Sequence, residues 1–283
     1  MLDQLLDVLR PKLVTKDSFV GSNMHPKSPR VYGGQVLAQC ISVAVSTVPT
    51  DRILHSQHAY FLRPGDPAKS IDYEVERARD GRSFNSRRVV ALQGGKPILV
   101  SFLSFQQASR GEEFQPSAPD VPPPEDLPSE RELSIKAGTL HEDFQIVTGL
   151  DLDVRVVEPI DWENPVPRKP ELQMWMKTME SLPGEGAKSR GLHQAILAYM
   201  SDAFLIDVCM IAHGQNFMDD HIQVASLDHA LWYHEDFRAD EWLLHTVEAQ
   251  QIGGGRGLAH GSFFTRQGKL VATTMQQGLM RFR

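Results

Sequence analysis

Residues 33–48 read GGQVLAQCISVAVSTV. Apolar side chains at Leu37, Ile41, Ala44 and Val48 recur at three- and four-residue spacing, the period of one helix face. A second run, LHQAILAYMSDAFLIDVC at residues 192–209, is apolar almost all round. Such a helix is expected to be wrapped by other structure rather than laid on a surface. The stretches after the two helices also repeat. HSQHAYFLRPGD around His58 has a counterpart in SLDHALWYHEDF around His229. IDYEVERARDGRSF and WLLHTVEAQQIGGGRG each carry a Val-Glu pair and then a glycine-arginine turn. GGKPILVSFLSFQQ and RQGKLVATTMQQ each place a glycine-lysine hairpin signal before a strand that ends in a double glutamine, Gln106-Gln107 and Gln276-Gln277. Two more strands are expected ahead of the second helix, DLDVRVVE from Asp151 and ELQMWMKT from Glu171. The pattern predicts a duplicated α+β unit, an antiparallel sheet around a buried helix occurring twice.

Between the two copies, residues 108–132 (ASRGEEFQPSAPDVPPPEDLPSERE) are rich in proline and acid and poor in large apolar side chains. Such a segment cannot bury enough surface to fold alone. The expected division is therefore an N-terminal unit at 1–107, a linker at 108–132 and a C-terminal unit at 133–283.

The bulk properties narrow the function. The 283 residues, 41% hydrophobic and 23% charged, suit an ordinary globular protein with room for two domains. A net charge of -7 argues against a nucleic-acid partner, which needs a basic face. MLDQLLDVLRPKL at the start reads as a short amphipathic helix rather than a signal segment, no run is long and apolar enough for a membrane span, and the final MRFR is not a peroxisomal address. Cys40 and Cys209 lie inside apolar helical patterns and read as reduced core residues. The expectation is a cytoplasmic protein. Among the 11 histidines no His-x-x-x-His has a third ligand at known spacing, so no metal and no cofactor are expected, and His229 and His234 read as structural.

RVYGGQVLAQ, HSQHAYFLRPGD, DGRSF, LAYMSD, VASLDHALWYH, DEWLLHTVEA and LVATTMQQGLMR, in this order on either side of the linker, resemble the acyl-CoA thioesterase II family. The resemblance runs through nearly the whole chain. It implies a double hotdog fold, two antiparallel sheets each wrapped around a long central helix, assembled further into a homodimer or homotetramer. It also implies hydrolysis of acyl-CoA by a water that an aspartate, a threonine or serine, and a glutamine hold. Carried over, these are Asp202 of LAYMSD, Ser226 of VASLDH and Gln276 of TTMQQG.

The residues can be weighed on their own terms. Asp202 has Tyr199, Met200, Ala203, Phe204, Leu205 and Ile206 as neighbours, where an ionised carboxylate is costly unless hydrogen-bonded. Burial there would raise its pKa and suit it to accept a proton from water. Taken alone, a helical aspartate reads first as a solvated position, and a strand serine or glutamine as an ordinary cross-strand hydrogen bonder. The repeat adds a test. Aligning Gln35 with Gln194 sets Val43 opposite Asp202, aligning His58 with His229 sets His55 opposite Ser226, and Gln106 alone matches Gln276. One catalytic constellation per chain is therefore expected.

An oxyanion donor is expected at a helix start, at Gly33-Gly34 or His193-Gln194. Arg82, Arg87, Arg88 and Arg256 are candidates for the phosphates of coenzyme A. No serine or cysteine sits in a recognisable nucleophile context, so no acyl-enzyme is expected, and the absence of Gly-x-Ser-x-Gly argues against an α/β-hydrolase thioesterase. Two other readings stay open: a hotdog enoyl-CoA hydratase or dehydratase, which a histidine beside Asp202 would favour, and a non-catalytic acyl-CoA binding protein.

Overall fold

The first apolar stretch forms a helix, but the second is helical only to Ser201, where Asp202 ends it and the chain turns through Phe204 into a separate short helix. The two longer helices lie against each other. In a computed structural model, residues 2–24, 28–138, 152–161, 164–186, 189–215 and 221–282 are described. The N-terminal portion contains α1 (Leu2–Val8), β1 (Lys12–Thr15), β2 (Ser18–Gly21), α2 (Gly33–Val45), β3 (Arg52–Phe61), β4 (Ile71–Asp80), β5 (Phe84–Gln93) and β6 (Lys96–Gln107). After α3 (Glu130–Ala137) come β7 (Leu152–Val156), β8 (Glu171–Thr178), α4 (Arg190–Ser201), α5 (Val208–Ile211), β9 (Ile222–Ser226), β10 (Asp228–Tyr233), β11 (Leu243–Gly253), β12 (Arg256–Thr265) and β13 (Leu270–Phe282). Met1 and Asp151, with which two expected elements begin, lie outside the described residues, as does Arg283 of the C-terminal tetrapeptide. Among the described residues no helix is long and apolar enough to cross a membrane.

The sequence predicts two sheets; the structure joins them into one. The strand order is β1-β2-β4-β5-β6-β3-β10-β13-β12-β11-β8-β7, every pairing is antiparallel, and β9 adds to the end of β13. Read outward from its centre, the order of the first half matches that of the second. The join is the β3–β10 pair, in which His58 faces Ala230 and Ala59 faces His229. With His58 and His229 as equivalent positions, each of these pairs is the image of the other, which is what a local two-fold axis between the strands requires. The physical reason for the join is the edge. Left alone, β3 and β10 would each expose a row of unpaired backbone groups, and pairing them removes both edges. The hairpin glycines behave as their sequence suggests: Gly94 and Gly95 (φ 55° and 72°) and Gly254 and Gly255 (φ 59° and 72°) occupy the left-handed turn positions that close β5–β6 and β11–β12.

Helices α2 and α4 run antiparallel against each other. Tyr32, before α2, donates its hydroxyl to the Tyr199 carbonyl near the end of α4 at 2.8 Å, while Gly191 at the start of α4 faces Val45 at the end of α2. Both helices bury most of their side chains, including Leu37, Cys40 and Ile41 of α2 and Ile196, Leu197 and Met200 of α4. The close approach depends on Gly34, where a Cβ atom would lie 2.5 Å from the Tyr199 carbonyl oxygen and 2.7 Å from the Tyr32 ring. Cys40 and Cys209 are free and buried.

The proline-rich segment is docked on the sheet. Trp175 alternates with Met174 and Met176, which face the main core, so it projects from the opposite face of the sheet. There Ala118, Val121 and Leu127 pack on Trp175, Leu244 and Phe264, and the Trp175 indole donates to the Pro122 carbonyl at 2.9 Å. Glu125 takes a forked ion pair from Arg266, and a capping box between Ser129 and Glu132 starts α3.

Gly34→Ala should destabilise the protein by roughly 1–3 kcal/mol, the usual range for forcing a methyl into a packed contact. Denaturant unfolding would measure it; an unchanged midpoint would mean that α2 and α4 can move apart without loss.

Candidate active site

Asp202 caps the C-terminus of α4. A carboxylate there faces the negative end of its own helix dipole, an unfavourable place. The other half of the chain compensates. The N–H of Gly34, in the first turn of α2, donates to Asp202 Oδ2 at 2.9 Å, so the positive end of the α2 dipole sits against the charge. Gln276 on β13, fully buried, donates its side-chain N–H to Asp202 Oδ1 at 2.7 Å. Phe204, two residues on, adopts a left-handed conformation (φ 63°) as the chain turns from α4 towards α5.

Burial pushes the Asp202 carboxyl above its usual range, and the hydrogen bonds from Gln276 and Gly34 and the charge of Arg30 oppose that rise. Asp207, at the start of α5, is pushed up to about 7, first by burial and then by the charge of Asp202. The result is a buried carboxylate, more basic than one in water, held by donors from both halves of the chain.

Ser226 is set near Gln276 by strand register. It closes β9 opposite Gly278, two residues along β13 from Gln276, so Ser226 and Gln276 share one face of the sheet. That face looks onto the segment after α4, since a Cβ at Gly278 would meet Ile206 at 2.5 Å.

The expected binding residues distribute differently. The Gly34 amide is engaged by Asp202, and a Cβ at Gly33 would come within 2.7 Å of the same carboxylate. The start of α2 therefore holds the acid directly. His193 N–H is bonded to Ser189 within the first turn of α4, and the Gln194 side chain donates to the Leu54 carbonyl. Arg82 sits in the exposed β4–β5 turn, where its carbonyl accepts from Arg52; Arg88 pairs with Glu76 at 3.2 Å; Arg256 is exposed on the β11–β12 hairpin. Arg87 is a correction. Its side chain is fully buried, bonded to Asp80 and Thr47, because its strand position faces inward, and it is part of the core rather than of a cleft mouth.

Three contributors escaped the sequence reading. Arg30 acts on Asp202 through its charge, Tyr32 ties the two helices together, and His229 places Nδ1 3.7 Å from Asp202 Oδ1. A cavity of about 650 Å³ opens at the other end of α4, around Arg190, His193 and Trp242. It is roughly 18 Å along the helix from Asp202, at 1.5 Å per residue. Its arginines Arg190, Arg238 and Arg266 are each paired with a carboxylate.

Known proteins resemble this chain in sequence and in fold. The acyl-CoA thioesterase family profile matches residues 166–279, and that of the acyl-CoA thioesterase N-terminal domain matches residues 21–106. Acyl-CoA thioesterase 2 of Haemophilus influenzae is 37% identical over 285 residues, covering 100% of this chain and 98% of the relative. Acyl-coenzyme A thioesterase 8 of Homo sapiens is 34% identical over 284 residues, covering 97% and 88%. The crystal structure of the acyl-CoA thioesterase II TesB2 of Mycobacterium marinum superposes with a TM-score of 0.80 at 38% identity, covering 99% of this chain and 98% of that one. A hotdog-fold protein of Alicyclobacillus acidocaldarius, 18% identical, shares the fold with a TM-score of 0.78 over 99% and 98%. Fold and relatives together define a thioester hydrolase of the hotdog type. The chain belongs to the acyl-CoA thioesterase family.

The raised pKa makes a stability prediction. With its folded pKa above its unfolded one, Asp202 contributes stability that is complete below the unfolded value, about 4, and is lost as pH rises through the folded value. Asp202→Asn removes that loss, and the Gln276 amide can turn its unpartnered Oε1 towards the new amide. The variant should gain stability relative to wild type as pH rises above about 4, levelling off past the folded value, in denaturant midpoints taken across the range. A difference independent of pH would contradict a raised Asp202 pKa.

Proposed function

We propose that the chain hydrolyses fatty acyl-CoA to free fatty acid and coenzyme A, with Asp202 as general base and Ser226 and Gln276 positioning the water. The observation that carries this reading is the Asp202 carboxylate, 7% exposed and held from both sides by Gly34 and Gln276. A thioester needs little activation, because sulfur donates weakly to the carbonyl and a thiolate leaves readily. The protein has to orient a water and accept its proton. In this scheme Asp202 takes one proton, Gln276 Oε1, which lacks a protein partner, accepts the other hydrogen, and the Ser226 hydroxyl fixes the approach. The tetrahedral intermediate then expels the thiolate, which recovers the proton.

The same reading places the chain as a double hotdog, with units at 1–107 and 133–283 and the segment 108–132 strapping the second. Coenzyme A phosphates would meet arginines on exposed turns, Arg82, Arg88 and Arg256 being the candidates. The assembly would be a homodimer or homotetramer in the cytoplasm, without metal or cofactor. The hydratase reading gains one observation, His229 beside Asp202. That ring, however, has no exposed surface and engages Ser201 through Nε2, so it lies behind the carboxylate rather than towards a substrate.

Release of free thiol from acyl-CoAs of graded chain length tests the proposal. Asp202→Asn should lower kcat by about 100-fold or more, the ordinary contribution of a general base. Unchanged turnover would remove Asp202 from the mechanism, and hydration of enoyl-CoA without thiol release would favour the hydratase.

A further inference from the structure

Behind Asp202 lies a histidine that is hydrogen-bonded through one ring nitrogen only. Ser201 Oγ donates its single hydrogen to the Ala198 carbonyl at 3.0 Å. With that hydrogen on the carbonyl, the contact of Ser201 Oγ with His229 Nε2, also 3.0 Å, is a bond donated by Nε2–H. That leaves Nδ1 without a hydrogen. Nδ1 is buried, has no partner, and lies 3.7 Å from Asp202 Oδ1. Burial keeps the ring neutral. In the ionised state of Asp202, two lone-pair carriers face each other across this gap.

We infer that His229 is a positioning residue for the reaction: its bare Nδ1 accepts a hydrogen bond from Asp202 once the carboxylate has taken a proton from water. The inference rests on the reading of Asp202 as the base. In the resting enzyme the two atoms stand beyond hydrogen-bonding distance. After proton transfer, Asp202 Oδ1–H can turn to Nδ1 and close the gap, while Oδ1 still accepts from Gln276 on another lone pair. A bond made only to the neutral acid stabilises the state formed as the water is deprotonated, and so makes Asp202 a stronger base. The proton stays on Asp202 and returns to the leaving thiolate; His229 never carries it.

The surroundings offer few competitors for this role. From α2 and its approach, the Gly34 N–H bonds to the other oxygen, Arg30 acts through its positive charge, and the Tyr32 hydroxyl donates to the Tyr199 carbonyl. From β13, Gln276 donates to the same oxygen. Asp207 at the start of α5 adds negative charge, and His245 on β11 lies behind His229, buried and held neutral. Gly34, Gln276 and Arg30 stabilise the charged form of Asp202, and Tyr32 bonds elsewhere. The charges of Asp202 and Asp207 oppose each other, and the His245 nitrogens have no partner. His229 Nδ1 is an acceptor ready for the neutral form.

Two substitutions separate the two ring nitrogens. His229→Gln keeps an N–H near the Nε2 position for Ser201 but removes the acceptor facing Asp202. His229→Asn keeps an acceptor near Nδ1 and gives up the bond to Ser201. In the pH profile of kcat, the acid limb for His229→Gln should move down by about one unit, with kcat lowered about 10-fold and KM little changed. His229→Asn should keep the limb where wild type has it. Nitrogen NMR of labelled histidine in the wild-type enzyme should show His229 with Nε2 protonated and Nδ1 bare, a readout independent of variant folding and of activity. An Nδ1-protonated tautomer overturns the inference. So does an unmoved limb in His229→Gln while Asp202→Asn is inactive. Full turnover in Asp202→Asn would instead bring down the underlying assignment of the base.

Discussion

The arrangement depends on a carboxylate at the unfavourable end of its own helix. Asp202 ends α4, where the peptide dipoles point their negative end at it, inside an apolar core. Alone, that position would force the group to neutralise or to swing out. The Gly34 amide makes it tenable, because the N-terminus of α2 brings an N–H and the opposite end of a helix dipole to the same oxygen. This contact fixes much else. The two helices must run antiparallel, they must approach closely enough to require glycine at position 34, and the sheets that hold them must be in fixed relation.

The β3–β10 pairing supplies that relation. Because it joins the halves through backbone hydrogen bonds, the distance between α2 and α4 is set by strand geometry and not by side chains alone. Gln276 reaches Asp202 through the same framework, on β13, and Ser226 shares its sheet face from the short β9 paired to the end of β13. Slipping β13 by one residue would turn Gln276 away from the carboxylate, since alternate residues face opposite sides of the sheet. The strap across Trp175 covers the outer face and leaves the inner face to the helices.

What could be read in the sequence was what is local. The helical period of residues 33–48, the double-glycine turns at 94–95 and 254–255, and the repeated strand blocks depend on near neighbours and stood out. The apolar neighbours of Asp202 were visible for the same reason, and Ser226 and Gln276 came with the family resemblance. The joining of the sheets, the burial of Arg87 and the approach of Gly34, Arg30 and His229 to Asp202 arise from contacts between residues far apart in the chain. Arg87 shows the limit well. In sequence it is one more arginine in a charged strand, and only the inward face of β5, with Thr47 and Asp80 around it, makes it a core residue. The role of Gly34 was half legible: a helix start that favours an anion was recognised, but the anion is the protein's own.

The match of strand order between the halves has one more consequence. An assembly of identical chains must carry every substitution in all of its copies. A residue that suits one site is then imposed on its symmetry mate, whatever that mate needs. Here both halves lie on a single chain, so the helix position aligned with Asp202 is free to be Val43, which is buried in the core. Holding a charge in the interior weakens the fold once instead of twice, and the released position contributes to the core. Joining the halves covalently allows one side of a symmetric frame to hold a charge that the other need not carry.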